Sequence, residues 1–176
     1  MADIDIQPSE NLQGAAAGEK IRDIAKRTRV CMFTTDPTSY PSDSRPMSLQ
    51  HSDDDGTVWF LSSSASRKNE DIARDDRVML TFQNDDKYEY LALQGRARVH
   101  TDRATIDKHW TAFANAWFDG KDDPRLTVLS VRPEHGHYWQ TESGKIVSLI
   151  KMSFSALTGA KTDDGGVDGE LKPNAA

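Results

Sequence analysis

The sequence has few of the features that mark exported, membrane-spanning or nucleic-acid-binding chains. Its 176 residues contain one cysteine, Cys31, so no internal disulfide can form, and we expect a reducing, cytoplasmic location. No stretch approaches the roughly 18 apolar residues of a membrane span, and the start lacks the charged and apolar segments of a secretory signal. A formal net charge of −6 argues against nucleic acid and anionic membranes as partners.

Signals for several common kinds of site are also missing. Neither a glycine-rich dinucleotide fingerprint nor a nucleophile elbow occurs. His135 and His137 could offer two imidazoles to a metal, but no Cys or Asp cluster stands near them, so we expect no metal site. The acidic run at 53–55 precedes Gly56 and lacks the spacing and closing Glu of a calcium loop, which favours a hairpin turn.

The large apolar residues are concentrated in the middle of the chain. Hydrophobic residues make up 36 % of the sequence, and both ends are poor in them. We therefore predict one domain over residues 18–158. A disordered tail, residues 1–17, would precede it, and a flexible tail, residues 159–176, would follow it.

Alternating apolar residues and turn signals predict a mainly β domain with flanking helices. Strands are predicted at 30–35, 45–52, 58–61, 78–82, 88–100, 126–131 and 137–140. Helices are predicted at 19–27, 69–75 and 103–118, and the segment 146–157 fits either a helix or a strand. The hairpin links between these strands indicate an antiparallel barrel or sandwich with helices packed outside it.

The densest chemical signal is the segment Ser62–Lys68, which follows a strand and opens a helix. Helix N-termini carry unpaired N–H groups and therefore suit phosphate. Arg67 can bind two phosphate oxygens with its planar fork, Lys68 adds a point charge, and the Ser62 and Ser66 hydroxyls can fill the remaining positions. The alternative is a Ser-capped helix with two solvated cations, although cations at this end oppose the helix dipole.

Two further segments fit a flat ring beside that phosphate. Pro46 places the segment Arg45–Leu49 in an edge or bulged strand, whose free backbone groups can meet a heterocycle. Trp139, in the segment His137–Gln140, can wall such a ring with its indole. An ordinary edge strand and a buried core tryptophan are the alternatives.

Together these segments resemble the pyridoxamine phosphate oxidase-like FMN-binding split barrels, and within them the general-stress-protein branch. The resemblance covers residues 19–142, and its most specific parts are Ser-Arg-Lys at 66–68 and Gln-Gly-Arg-Ala at 94–97. It implies a six- to seven-stranded antiparallel split β-barrel. It also implies a homodimer with FMN at the subunit interface, with FAD as an alternative if the mouth of the pocket is open.

The resemblance also carries over the family's binding residues. The cations of the Ser-Arg-Lys motif, here Arg67 and Lys68, hold the flavin phosphate, and the strand end before them, Leu61 and Ser62, touches the ribityl chain. The late tryptophan, Trp139, comes from the other subunit, and Gln140 beside it is a weaker candidate. The strand along the isoalloxazine contributes Arg45, Met47, Ser48 and Leu49.

One departure from the family pattern bears on activity. True oxidases carry an Arg-x-His motif after the late tryptophan, whereas residues 141–147 here contain neither Arg nor His. Tyr90 also stands where the oxidases place a glutamine, so we do not expect a vitamin B6 oxidase. Two functions remain open: a flavin-dependent oxidoreductase with a nicotinamide donor, and a non-catalytic flavin carrier or stress-response binding module. A split barrel for a deazaflavin or haem is a third, which the phosphate clamp disfavours.

Overall fold

The structure is a computed structural model that describes residues 10–141 and 166–174. Its strands are β1 Leu12–Gln13, β2 Val30–Thr35, β3 Asp43–Ser52, β4 Val58–Ser63, β5 Arg77–Asn84, β6 Glu89–His100, β7 Leu126–Thr141 and β8 Gly166–Lys172. Its helices are α1 Gly14–Thr28, α2 Arg67–Arg74 and α3 Arg103–His109, with a 3-10 turn at Ala112–Ala116. The predicted helix or strand at 146–157 lies outside the described residues.

Strands β2 to β7 close into an antiparallel barrel. Their order around the barrel is β7-β4-β3-β2-β5-β6, and pairing of β6 with β7 closes the ring. The long strand β7 also pairs with β4 through residues 126–131 and with β8 through residues 136–141. β8 and the short β1 extend the sheet beyond the barrel. The predicted antiparallel split barrel with flanking helices is confirmed.

The barrel interior is apolar because alternate residues of each strand point inward. Fully buried interior side chains include Phe33, Phe60, Leu80, Phe82, Leu91 and Leu129. Phe33 and Phe60 meet edge to face, with ring centroids 5.5 Å apart. The buried face of α1, which includes Ile21 and Ile24, packs against the same core. Each large apolar side chain buried here stabilises the fold by about 1.5–3 kcal/mol.

The helix predicted at 103–118 is wrong beyond His109. Trp110 adopts an extended conformation with a ψ of 134°, and the chain continues as the 3-10 turn. Contacts outside the helix explain the break: Trp110 packs in a second apolar cluster on the outer face of the barrel, and the Thr111 hydroxyl donates to Gln50 Oε1 at 2.9 Å. Among the described residues, no helix is long and apolar enough to cross a membrane.

The structure has one strand, β7, where the sequence predicted two strands around Pro133. Pro133 pairs opposite Gly95 at a bulge, where the register with β6 shifts. A Cβ atom on Gly95 would lie 2.3 Å from the carbonyl oxygen of Arg132. The missing side chain at Gly95 therefore allows the close approach that carries β7 past the proline.

Both predicted tails need correction because parts of them are ordered. Residues 12–17 belong to β1 and α1, and Ala17 is fully buried. Residues 166–172 form β8, whose Leu171 is fully buried. This strand is stabilised by backbone pairing with β7 rather than by an apolar pattern of its own. Residues 1–9, 159–165 and 175–176 of the predicted tails lie outside the described residues.

Candidate functional site

A cleft lies on the outer face of the barrel, between β3, the end of β4, the start of α2 and the 3-10 turn. Its volume is about 410 Å³, within the ~300–1,000 Å³ that is typical of small-molecule sites. The lining residues are Pro46, Met47, Ser48, Gln50, Leu61, Ser62, Ser63, Lys68, Phe113, Ala114, Trp117, Phe118 and Arg125. The lining thus combines apolar and aromatic side chains with two cations, Lys68 and Arg125.

Strand β3 divides its residues between the cleft and the barrel interior. Pro46 and Ser48 lie in the cleft lining. Leu49 pairs opposite Phe60 and packs against the barrel core, so its side chain is directed away from the cleft. Met47 contributes to the cleft wall and also touches the core. Of the predicted ring contacts on β3, Met47 and Ser48 therefore reach the cleft and Leu49 does not.

Lys68 is the cation of the predicted clamp that reaches the cleft. Its Nζ donates a hydrogen bond to the Ser66 hydroxyl at 2.8 Å, so the hydrogen-bond partner of the charge is neutral. Burial lowers the pKa of Lys68, the positive charge of Arg45 lowers it further, and Asp43 partly offsets the shift. An anion bound in the cleft would favour the charged ammonium.

Arg67, the other cation of the predicted clamp, lies outside the cleft lining. Its side chain is 77 % exposed, and its Nε lies 3.9 Å from a carboxylate oxygen of Asp71. Asp71 is buried and also accepts a hydrogen bond from the Thr35 hydroxyl at 2.9 Å. Successive residues of a helix are rotated by about 100°, so the side chains of Arg67 and Lys68 leave α2 in different directions.

Arg45 lies beside the cleft rather than in its lining. Its guanidinium pairs with Asp43, and its Nη1 donates to Thr35 Oγ1 at 2.9 Å. Because Arg45 lowers the pKa of Lys68, its charge acts on the cleft without a lining contact. Its predicted contact with the ring stays a prediction.

Leu61, Ser62 and Ser66, which were predicted to contact the ribityl chain or the phosphate, occupy different positions. Leu61 lines the cleft with its neighbours on β4. Ser62 is buried, and its hydroxyl donates to Asn69 Oδ1 at 2.9 Å while Asn69 donates to Thr127 at 2.9 Å. The Ser62 hydroxyl therefore anchors α2 on the barrel, whereas the Ser66 hydroxyl lies against Lys68.

Phe113, Trp117 and Arg125 are among the lining residues that were not predicted as site residues. Phe113 and Trp117 are 61 % and 59 % exposed and meet edge to face, with ring centroids 4.9 Å apart. Their surplus of aromatic surface is visible in the sequence, but its use in a cleft is not. Arg125 carries no sequence signal, because the loop before β7 places it and Asp123 holds its guanidinium, with Nη2 2.6 Å from Oδ2. This pairing lowers the pKa of Asp123.

Trp139 lies on β7, outside the cleft lining, and is 42 % exposed. The cleft meets the opposite end of this strand, where Leu126 pairs with Ser63. Trp139 is 13 residue steps along β7 from Leu126, a strand length of at most about 43 Å at roughly 3.3 Å per residue. Gln140, the weaker candidate, lies in a shallow depression beside α1 and likewise outside the cleft.

Comparison with known sequences decides the family. Residues 16–163 match the sequence pattern of the family described as pyridoxamine 5'-phosphate oxidase like. The chain belongs to the pyridoxamine 5'-phosphate oxidase-like family. This family match covers the barrel, α2 and every residue of the cleft lining.

Relatives of this oxidase-like chain fall in the general-stress-protein branch of the family. General stress protein 26 of Bacillus subtilis is 29 % identical over 119 residues, which are 66 % of this chain and 83 % of that protein. A crystal structure named as a general stress protein 26 from Jannaschia sp. CCS1 is 26 % identical and superposes with a TM-score of 0.70, over 87 % of this chain and 96 % of that one. The general stress FMN/FAD binding protein of Xanthomonas citri is 29 % identical, with a TM-score of 0.63 over 72 % and 90 % of the two chains.

Proposed function

We propose that this chain is a general-stress-type flavoprotein that binds FMN, with FAD as the alternative, in the cleft beside β3 and α2. The observation that carries the proposal is the half-buried Lys68 ammonium, whose hydrogen bond goes to a neutral hydroxyl. A phosphate monoester would supply the missing counter-charge. The description of the Xanthomonas citri relative as an FMN/FAD binding protein supports the same ligand.

The phosphate is expected where α2 meets the cleft. Ser66 precedes the first residue of α2, and its hydroxyl already lies against Lys68. Arg125 adds a second cation to the lining, held in place by Asp123. Arg45 adds positive charge from the side. Asp123 and Asp43 pair with these two arginines, so a dianionic ester would depend mainly on direct contact with Lys68.

The rest of the cleft suits a flat ring system with a polar edge. Met47 and Leu61 offer apolar contact, and Phe113 and Trp117 form an aromatic wall. Ser48 and Gln50 place polar atoms along β3. A bound flavin would supply electron and hydride transfer, which amino-acid side chains do not provide. The residues of this chain would bind the ring, orient it and exclude water from one side.

A homodimer is part of the proposal because one outer face joins the cleft to Trp139. Strand register carries this face from β3 across β2, β5 and β6 to β7. Its β2 positions, Val30 and Met32, are 48 % and 45 % exposed although they are apolar. In a two-fold dimer, this face of one subunit packs against the same face of the other in the opposite orientation. The Trp139 end of one chain then meets the cleft of the other. The packing would also cover the exposed apolar side chains.

We propose that the flavin serves an oxidoreductase with a nicotinamide donor, and a non-catalytic carrier is the second candidate. The exposure of Phe113 and Trp117 leaves the cleft mouth open to a second ligand, which favours turnover. A cytoplasmic location belongs to the same proposal. Burial raises the pKa of Cys31 to about 12, and a lone inert thiol fits a reducing compartment.

Ligand identification and a titration pair test this function. Mass spectrometry of the small molecules that copurify with the protein should find FMN. Riboflavin lacks the phosphate, so we expect it to bind the flavin-free protein at least about tenfold more weakly than FMN. Steady oxidation of NADH or NADPH by the loaded protein would select the oxidoreductase over the carrier. Equal affinities for FMN and riboflavin would contradict the phosphate site.

A further inference from the structure

A second concavity lies on the same outer face of the sheet, between β6, β7 and β8. It has a volume of about 360 Å³. Met79 and Ala92 give it an apolar floor, and His135, His137, Glu170 and Lys172 are among the polar residues that line it. We call this concavity the β8 groove. It adjoins Trp139, because His137 and Trp139 are alternate residues of β7 on one face of the sheet.

His137 is hydrogen-bonded to Asp168 of β8. The distance from His137 Nε2 to Asp168 Oδ2 is 2.8 Å, and the two side chains are 36 % and 11 % exposed. A carboxylate accepts hydrogen bonds and does not donate them, so the proton of this bond belongs to Nε2. Nδ1 is therefore the nitrogen left for proton exchange with a ligand or with solvent.

Burying the Asp168 carboxylate costs free energy that a purely structural contact would not recover. No donor within residues 10–141 or 166–174 reaches the buried Oδ1 of Asp168, so half of this carboxylate is left without a hydrogen bond. The His137 ring lies against the Trp139 indole, with centroids 4.4 Å apart and planes inclined by 36°. The imidazole is thus oriented from two sides while remaining accessible from the groove.

We propose that His137 is a catalytic proton donor to an acceptor that is reduced at the flavin in the partner's cleft, and that Asp168 is its positioning residue. This inference rests on the proposed function, including the dimer in which Trp139 reaches the other subunit. The acceptor class is a quinone, whose flat apolar ring suits the floor of the β8 groove and whose carbonyl oxygen can accept from Nδ1. Residues 141–147, after Trp139, contain neither Arg nor His. His137 lies two residues before Trp139, and β8 supplies its carboxylate partner.

The step balances with a nicotinamide dinucleotide as the reductant. A bound flavin would supply the transfer of its hydride, with two electrons, to the quinone. The second hydrogen arrives as a proton from His137 Nδ1 to the quinone oxygen, which yields the hydroquinone and the oxidised nicotinamide. The imidazole regains its proton from solvent through the groove, and Asp168 keeps Nε2–H oriented throughout.

Single variants, with a matched control, separate proton transfer from flavin binding. We expect His137→Gln in the FMN-loaded protein to reduce 2-methyl-1,4-naphthoquinone about 100-fold more slowly or worse, with the FMN affinity within twofold of wild type. Asp168→Asn should invert the His137 tautomer in ¹⁵N NMR spectra and slow quinone reduction. His51→Gln is the control, because His51 pairs with Asp53 at 3.1 Å away from both concavities. Its rate should equal that of wild type.

A mixed-dimer experiment tests whether the donor acts across the interface. The assay uses an FMN concentration that loads wild type but leaves Lys68→Ala largely empty. Under this condition, the His137→Gln homodimer lacks the proton donor at both sites, and the Lys68→Ala homodimer lacks the flavin at both sites. After mixing, heterodimers hold one intact site, so about one quarter of the wild-type activity should return. An unchanged rate in His137→Gln, an equal loss in His51→Gln, or no activity regained on mixing would overturn the inference. FMN binding without any quinone reduction by wild type would also overturn it, while leaving the flavin proposal intact; absent FMN binding would remove both.

Discussion

Replacing Lys68 and Arg67 separately distinguishes the cleft in the structure from the two-cation clamp suggested by the motif. A hydrogen bond to a charged group contributes about 1.5–3 kcal/mol. Lys68→Ala should therefore raise the Kd for FMN about 13- to 160-fold, at 1.36 kcal/mol per factor of ten. Arg67 is largely exposed and lies outside the lining. An exposed charge contributes about 0–1 kcal/mol, so Arg67→Ala should cost at most about fivefold.

The pH dependence of the same titration provides a second measurement. Burial and the charge of Arg45 lower the pKa of Lys68 in the free protein, and a bound dianion would raise it again. Binding should therefore take up a proton at alkaline pH, and the FMN affinity should fall as the pH rises through the pKa of free Lys68. Lys68→Arg keeps its charge over this range, so its affinity should stay flat there.

Fluorescence titration of flavin-free protein, from pH 7 upwards and at two salt concentrations, measures both effects. Circular dichroism of each variant checks that the barrel is intact. Two results would refute the reasoning: an Arg67→Ala loss as large as the Lys68→Ala loss, or an alkaline decline that persists in Lys68→Arg. Either would mean that the phosphate is bound somewhere other than beside Lys68.

Three further predictions concern stability, reactivity and assembly. Burial, with the nearby charges of Lys108 and His51, lowers the pKa of His109 from 6.5 to about 4. As the pH falls, the unfolded chain therefore binds a proton at His109 before the native state does. The free energy of unfolding should decrease by about 2–3 kcal/mol between pH 6.5 and 4. Urea unfolding at both pH values should show a smaller loss in His109→Phe. Cys31 is buried with a pKa raised to about 12, so a thiol reagent at pH 8 should label it only after denaturation; rapid labelling of native protein would contradict its burial. Met32→Lys should give a folded monomer with weakened FMN binding, and a stable loaded dimer in sedimentation would count against the proposed face.

The strands could be predicted from the sequence because their signal is local. A short apolar run predicted β2 at its observed bounds, Val30–Thr35, and the barrel followed from hairpin links between such strands. The helix at 103–118 failed because Trp110 keeps helical spacing while the hydrogen bond from Thr111 to Gln50 breaks the helix. That partner lies 61 residues away in the sequence. The apolar periodicity of residues 103–118 therefore cannot reveal this hydrogen bond.

The site was predictable in part for the same reason. The motif indicated a cation at a helix start, and Lys68 is in the cleft lining. Which of two adjacent cations faces a cleft depends on the rotation of α2 against the barrel, and the bond between Ser62 and Asn69 fixes that rotation. Arg125 was missed because its position comes from a loop folded around Asp123, which has no counterpart in a linear motif.

The C-terminal strand has a practical consequence for handling the protein. β8 covers residues 136–141 of β7, and β1 in turn pairs with β8. A variant shortened before residue 166, as the sequence alone would recommend, would expose a row of unsatisfied backbone N–H and C=O groups along β7. Exposed strand edges recruit other chains. Such a truncation should therefore precipitate or form fibres instead of giving a smaller soluble barrel.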